Sequence, residues 1–240
     1  MDWSVLYIVA TLLILPAFIY GGISQAAATS TFDKYAKQTT NNNIQANELA
    51  RKLLQSANLN NVAVVDIDGK LTDCYDPRNK VVKLSKATYN SNSIAAFGVC
   101  AHEVGHAIQD ANKNFLFRLR RAIVPVINFI TRLYIPMILF GSILSFALYI
   151  EAIGYYLCWA AVIMYGASFI FYLITLPLEY DASKKALKLL KQTELFTSGE
   201  IDSANKVLKA AIQTYISTLL TTMLFFLRFL SYAMIFSDRK

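Results

Sequence analysis

Charge, cysteine and histidine are all scarce in this chain of 240 residues. Only 16% of its residues are Asp, Glu, Lys or Arg, against about 25% in an average soluble domain. That shortage, with 55% hydrophobic residues and a mean hydropathy of +0.40, excludes an ordinary water-soluble globule and requires long stretches that face lipid. Three cysteines, Cys74, Cys100 and Cys158, are odd in number and far apart, which excludes a disulfide framework and fits reduced thiols. No Lys or Arg precedes the first apolar run, and that run of about 20 residues exceeds the ~7–15 of a secretory signal, so a retained anchor is expected. Internal repeats and long low-complexity linkers are absent. Aromatic and basic residues are not interleaved, so the formal net charge of +7 does not point to nucleic acid.

Four stretches carry no charge at all: Trp3–Ile23, Leu133–Ile150, Ala152–Leu178 and Ala210–Leu227. Each approaches or exceeds the ~18–20 residues that cross a bilayer as helix. The expected fold is therefore an α-helical integral membrane protein of about four transmembrane helices, multi-pass in the cell membrane, with a small α+β domain between spans. Segments 24–121 and 179–209 hold 13 and 6 of the 23 Lys and Arg residues. Asp2 and Glu151 mark the opposite side, so the positive-inside rule places the two polar segments, and any chemistry they carry, in the cytoplasm. Basic residues beside the spans also suit anionic headgroups, which makes the lipid bilayer a partner in itself. The expected organisation is an anchor over 1–23, an α+β segment over 24–121, a helical hairpin over 122–178, an amphipathic helical segment over 179–209 and a last span over 210–236.

Within 24–121, Ile44–Ala57 has helical apolar spacing. Val62–Asp66, Leu71–Tyr75 and Val81–Ser85 are β-rich and are separated by Asp68-Gly69 and by Asp76-Pro77-Arg78-Asn79, which predicts a small antiparallel meander. Ser91-Asn92-Ser93 offers an N-cap for a helix from Ile94 to about Asp110. Farther on, Glu179 is expected to open a new helix after Pro177, and the chain should turn tightly near Glu151–Gly154.

The only two histidines stand at His102 and His106, with Glu103 between them. On a helix, positions i and i+4 share a face, so two imidazoles can meet one metal ion in the H-E-x-x-H arrangement. Glu103 lies about 100° round the helix, placed to act as a general base on metal-activated water without being a ligand. A zinc ion there would lower its water's pKa from about 15.7 toward about 7. A catalytic zinc normally takes a third protein ligand, and the lack of a third histidine leaves a carboxylate. Glu179 is the best placed, where the third span emerges on the motif's side. Asp181 is a candidate to orient a histidine from behind, and Glu194 and Glu200 lie farther along polar surface. Cys100 points about 200° away from His102 and reads as a small core residue. Cys74 reads as a strand residue, Asp66-Ile-Asp68-Gly69 as a hairpin turn, and Arg118–Arg121 as an interfacial stop.

His102-Glu-Val-Gly-His106, Thr72-Asp-Cys-Tyr-Asp-Pro-Arg78 and Leu176-Pro-Leu-Glu-Tyr-Asp-Ala-Ser183 together resemble the YugP-like neutral zinc metallopeptidases of bacterial membranes. The resemblance runs from the first span through the last. It implies a zincin-like, gluzincin-type peptidase similar to the HtpX proteases, with His102, His106 and Glu179 holding Zn2+ and Glu103 as general base. Two positions depart from such patterns: Cys74 stands where a His is common, and Ser183 replaces the Asp of the HtpX-type segment.

The leading expectation is a membrane-bound zinc endopeptidase that acts on peptide or membrane-protein substrates. A non-catalytic zinc-containing scaffold or chaperone partner is the alternative, against which an intact Glu103 weighs, since a structural site needs ligands alone. Transport is disfavoured because Arg132 and Arg228 lack an acidic partner within a span.

Overall fold

A computed structural model describes residues 2–40, 42, 44–148 and 151–237, with the side chains of 131, 134–155, 158, 236 and 237 left out of account. The protein is mostly helical with one small sheet. In chain order the elements are α1 (Trp3–Ala36), α2 (Ala46–Ser56), β1 (Ala63–Ile67), β2 (Cys74–Asp76), β3 (Val81–Ser85), α3 (Lys86–Tyr89), α4 (Ile94–Ala111), α5 (Phe115–Leu148), α6 (Glu151–Gln192) and α7 (Ser198–Ser237). The backbone divides into two compact units, one of Met1–Ile23, Leu119–Thr175 and Tyr215–Lys240, the other of Ser24–Arg118 and Leu176–Thr214.

Among the described residues of the first unit and the helices running on from it, three helices are long and apolar enough to cross a membrane: Trp3–Ala36, Trp159–Gln192 and Ser198–Ile235. Much of the stretch Leu133–Ile150 lies outside the described side chains, although the backbone of α5 is helical through Leu148. Arg228 does not end the last helix. Its guanidinium lies 5.8 Å from the centre of the Tyr7 ring, a cation–π contact of the kind that lets an arginine sit beside an apolar span.

The second unit is built round α4. Ser93 accepts a hydrogen bond from the Ala96 N–H at 3.3 Å, the expected cap, and α4 is buried on nearly every side. Against it packs α2, whose Ala46, Leu49, Ala50, Leu53 and Leu54 are buried while Arg51, Lys52 and Gln55 are exposed. That is one apolar stripe at helical spacing, and each fully buried leucine contributes about 1.5–3 kcal/mol.

The sheet is not an antiparallel meander. Its order is β1-β3-β2; β2 and β3 form an antiparallel pair, but β1 runs parallel to β3. Burial explains the choice of centre, since Val82 and Leu84 of β3 are wholly buried while β1 exposes Ala63, Val65 and Asp66. Strand β2 is also shorter than Leu71–Tyr75 suggests: Gly69 and Leu71 adopt φ of 112° and 58°, so the chain turns there instead of extending.

A second correction concerns α6. The helix begins at Glu151 and continues to Gln192 through Pro177, so Glu179 does not open a new helix. Proline removes one helical hydrogen bond, and here the flanking turns hold without it. Similarly, α7 is one helix from Ser198, started by a capping box in which Thr197 N–H donates to Glu200 at 2.8 Å and Glu200 N–H donates to Thr197 Oγ1 at 3.3 Å.

Candidate metal centre

All the residues of the centre lie in the second unit. Helix α4 presents His102 and His106 one turn apart, with ring centres separated by 4.7 Å. Helix α6 brings Glu179 to them: its Oε2 is 3.0 Å from His102 Nε2 and 3.5 Å from His106 Nε2. Ligand atoms of His102, His106 and Glu179 lie within 4.8 Å of one another. His106, Glu179 and Glu103 are buried and His102 is half-buried.

The close approach of α4 and α6 depends on Gly105. A Cβ at that position would lie 2.7 Å from the Ala182 carbonyl oxygen, so any side chain there would push the two helices apart. The x-x of H-E-x-x-H therefore includes a position chosen by packing.

Hydrogen bonds orient the two imidazoles. Gln109 Nε2 donates to the Leu178 carbonyl at 2.9 Å and to Asp181 Oδ2 at 2.8 Å. Both partners only accept, which identifies the nitrogen end of the amide. Gln109 Oε1 therefore faces His106 Nδ1, at 2.9 Å, and accepts its proton. His106 Nε2 then faces Glu179. On the other histidine, Nδ1 lies 3.2 Å from Ser183 Oγ, which again leaves Nε2 facing the centre. Asp181 reaches His106 only through Gln109 and is also paired with Lys185.

The two carboxylates are pushed in opposite directions. Burial raises the Glu103 carboxyl to about 7, with help from the charges of Glu179 and Asp73 and against the pull of His102 and of the Tyr75 backbone. Burial also opposes ionisation of Glu179, but the two histidines that face it outweigh burial and hold that carboxyl well below the usual range. One acid is thus ionised among two imidazoles, and the other exchanges a proton near neutrality.

The donor set fits a zinc ion: two imidazoles whose Nε2 atoms face a common centre, one ionised carboxylate, and polar groups behind both histidines. No other group of three such residues that could hold a metal occurs among the described residues. Cys100 is wholly buried, with Sγ at 3.4 Å from the Phe97 carbonyl. Cys74 is exposed on β2 and does not join the group, while Glu200 is engaged in the α7 cap. Gln109, Gly105 and Tyr75 were not singled out as site residues by the sequence pattern. Of these only Gln109 carries a usable signal, its i+3 spacing from His106 on one helix face.

Known proteins agree with this donor chemistry. The sequence pattern of the family described as "Putative neutral zinc metallopeptidase" matches residues 10–234. The chain is 35% identical over 206 residues to the "Putative membrane protease YugP" of Bacillus subtilis (strain 168), covering 86% of this chain and 88% of that relative. No solved structure matches the chain.

Proposed function

We propose, from the premise that this chain belongs to the "Putative neutral zinc metallopeptidase" family, that it is a membrane-bound zinc endopeptidase of the H-E-x-x-H…E gluzincin type. His102 and His106 through Nε2, together with Glu179, hold the ion; bound there, zinc supplies Lewis acidity for the substrate carbonyl and for water. Glu103 takes a proton from the attacking water. The water oxygen adds to the carbonyl carbon, the C–N bond breaks, and Glu103 returns the proton to the leaving amine. A buried carboxyl whose pKa burial raises is suited to both halves of that transfer.

Strand β2 is an edge of the sheet, and an extended substrate pairing with its free side would gain affinity from main-chain hydrogen bonds. The reading includes four spans, with 133–150 as the second, and a cytoplasmic face for the polar segments. The zincin-like segment 24–121 and the ligand-bearing segment 179–209 then meet the substrate together.

The observation that carries the reading is the convergence of His102, His106 and Glu179, with buried Glu103 beside them. The test is hydrolysis of an unfolded membrane protein by the full detergent-purified chain and its Glu103→Gln variant. The variant should keep about one zinc per chain and lose on the order of 10²–10⁴-fold in turnover. Equal turnover would exclude Glu103 as the base, and a zinc-loaded native chain that cleaves nothing would favour the scaffold alternative.

A further inference from the structure

The His106 imidazole is held from behind at one atom, its Nδ1 on Gln109 Oε1 at 2.9 Å. One such bond places the nitrogen but leaves the ring plane free to turn about it, so the plane is set by what stands beside the ring. One neighbour is the His102 ring, at 4.7 Å and nearly perpendicular; as a donor to the same centre it is no independent wall. The other is Phe117 of α5, whose ring centre lies 6.1 Å away at an interplanar angle of 40°, within the range over which aromatic rings attract. Phe117 is 7% exposed, and the buried Tyr75 ring stands 6.3 Å from it. Phe115, two residues earlier in the same turn, is 72% exposed. The first turn of α5 thus turns one phenylalanine outward and packs the other beside a metal-ligating histidine.

A short reversal between α4 and α5 sets Phe117 in that place. Lys113 adopts φ of 52°, a left-handed conformation of the kind that ends helices. The Asn114 N–H then donates to the Gln109 carbonyl at 3.0 Å, and Asn114 Oδ1 caps α5 by accepting from the Phe117 N–H at 3.2 Å. Asn114 therefore joins the residue that holds His106 Nδ1 to the residue that borders the His106 ring. We propose that Phe117 is a positioning residue of the metal centre: its ring, placed by the Asn114 cap, borders the His106 imidazole and holds it in the plane that turns Nε2 toward Glu179. A smaller side chain at 117 would leave the hydrogen bond to Gln109 in place and the ring plane unsupported on that side. The inference rests on the zinc-holding role of His106 and not on peptide hydrolysis.

The experiment uses the full detergent-purified chain and the variants Phe117→Leu, Asn114→Ala and their double. Two controls accompany them: Phe115→Leu makes the same change on the outward side of the turn, and Leu54→Val truncates a buried side chain of α2, which supplies no residue of the centre. Zinc affinity is measured by competition with a chelator, the visible spectrum is recorded on the cobalt-loaded chain, and NMR of the metal-free chain follows its two histidines. Phe117→Leu should weaken zinc binding about tenfold, shift the cobalt bands, and move and broaden one imidazole signal while the other stays. Asn114→Ala should act in the same direction and less, and the double should be no worse than Phe117→Leu, because the cap acts through the ring. Both controls should keep native affinity and a native cobalt spectrum, even where Leu54→Val lowers the Tm. Native affinity with a native spectrum in Phe117→Leu overturns the proposal. An equal loss in Leu54→Val, which would make the effect one of general stability, overturns it too, as do single effects that simply multiply. A native chain that takes up neither zinc nor cobalt fails the zinc reading itself and overturns the proposal with it, and the imidazole signals then decide separately whether Phe117 restrains His106.

Discussion

His106 Nδ1 lies 2.9 Å from Gln109 Oε1, and the amide that accepts its proton is itself anchored on Leu178 and Asp181 of α6. A histidine on one helix is thus oriented by a glutamine three residues along, and that glutamine is oriented by the helix that carries Glu179. Ligand orientation and helix docking are one structure here.

Removing this support should weaken the metal without removing a ligand. Gln109→Leu is expected to reduce zinc affinity about 10–100-fold, measured by competition with a chelator of known affinity. Asp181→Asn retains an acceptor for Gln109 and should cost less. Unchanged affinity in Gln109→Leu would show that packing alone holds the ring.

Metal removal should be felt in stability. A ligand that binds only the folded chain adds about 2.7 kcal/mol when present at 100 times its Kd. Stripping the full-length protein with a chelator should therefore lower its apparent Tm, and zinc should restore it. His106→Ala should lose that response, since a ligand is gone from a site whose three donors lie within 4.8 Å. An equal zinc-induced shift in native and variant chains would place the stabilising ion elsewhere.

The parts of this centre differ in how far the sequence discloses them. His102, Glu103 and His106 are legible because helical spacing is local, and the Ser93 cap with an apolar run behind it marks α4 almost to the residue. Strand β3 is legible for the same reason. Its neighbours are not, because β1 pairs with β3 across an intervening strand, and the choice of the most apolar strand as the centre is decided by burial of the whole sheet. Pro177 is a sound local reason to end a helix, yet α6 continues past it in the folded chain. The contact of Ser183 with His102 depends on the approach of α4 to α6, and so on Gly105, which no single segment can indicate.

A pH dependence follows from Asp76. Hydrogen bonds from Lys83 and Asn79 are the largest influences on its carboxyl, and with the Arg78 and Asn79 N–H groups they outweigh burial and hold it far below the usual range. A folded-state pKa below the unfolded value of about 3.9 stabilises the protein above that value. The contribution disappears as pH falls through the depressed one. Asp76→Asn should therefore lower the apparent Tm at neutral pH, and its difference from the native chain should shrink steadily below about pH 4. A difference independent of pH would mean that Asp76 acts through the shape of the β2–β3 turn and not through its charge.

Two glycines of α4 separate helix propensity from close packing. Glycine within a helix costs roughly 0.5–1 kcal/mol relative to alanine, so a glycine-to-alanine change with room for the methyl should be neutral or stabilising. Gly98 has that room: its added Cβ would meet Ala204 no closer than 3.6 Å, and Gly98→Ala is expected to hold or raise the Tm. Gly105 has none, because the same methyl would stand 2.7 Å from the Ala182 carbonyl, a backbone atom that cannot swing aside. Gly105→Ala should cost about 1–3 kcal/mol from overpacking. It should also weaken zinc binding, since Ala182 lies between Glu179 and the Ser183 that contacts His102 at 3.2 Å. A Gly105→Ala protein with native Tm and native zinc affinity would mean that α6 moves away without disturbing Glu179, and the rigid coupling between the two helices would have to be abandoned.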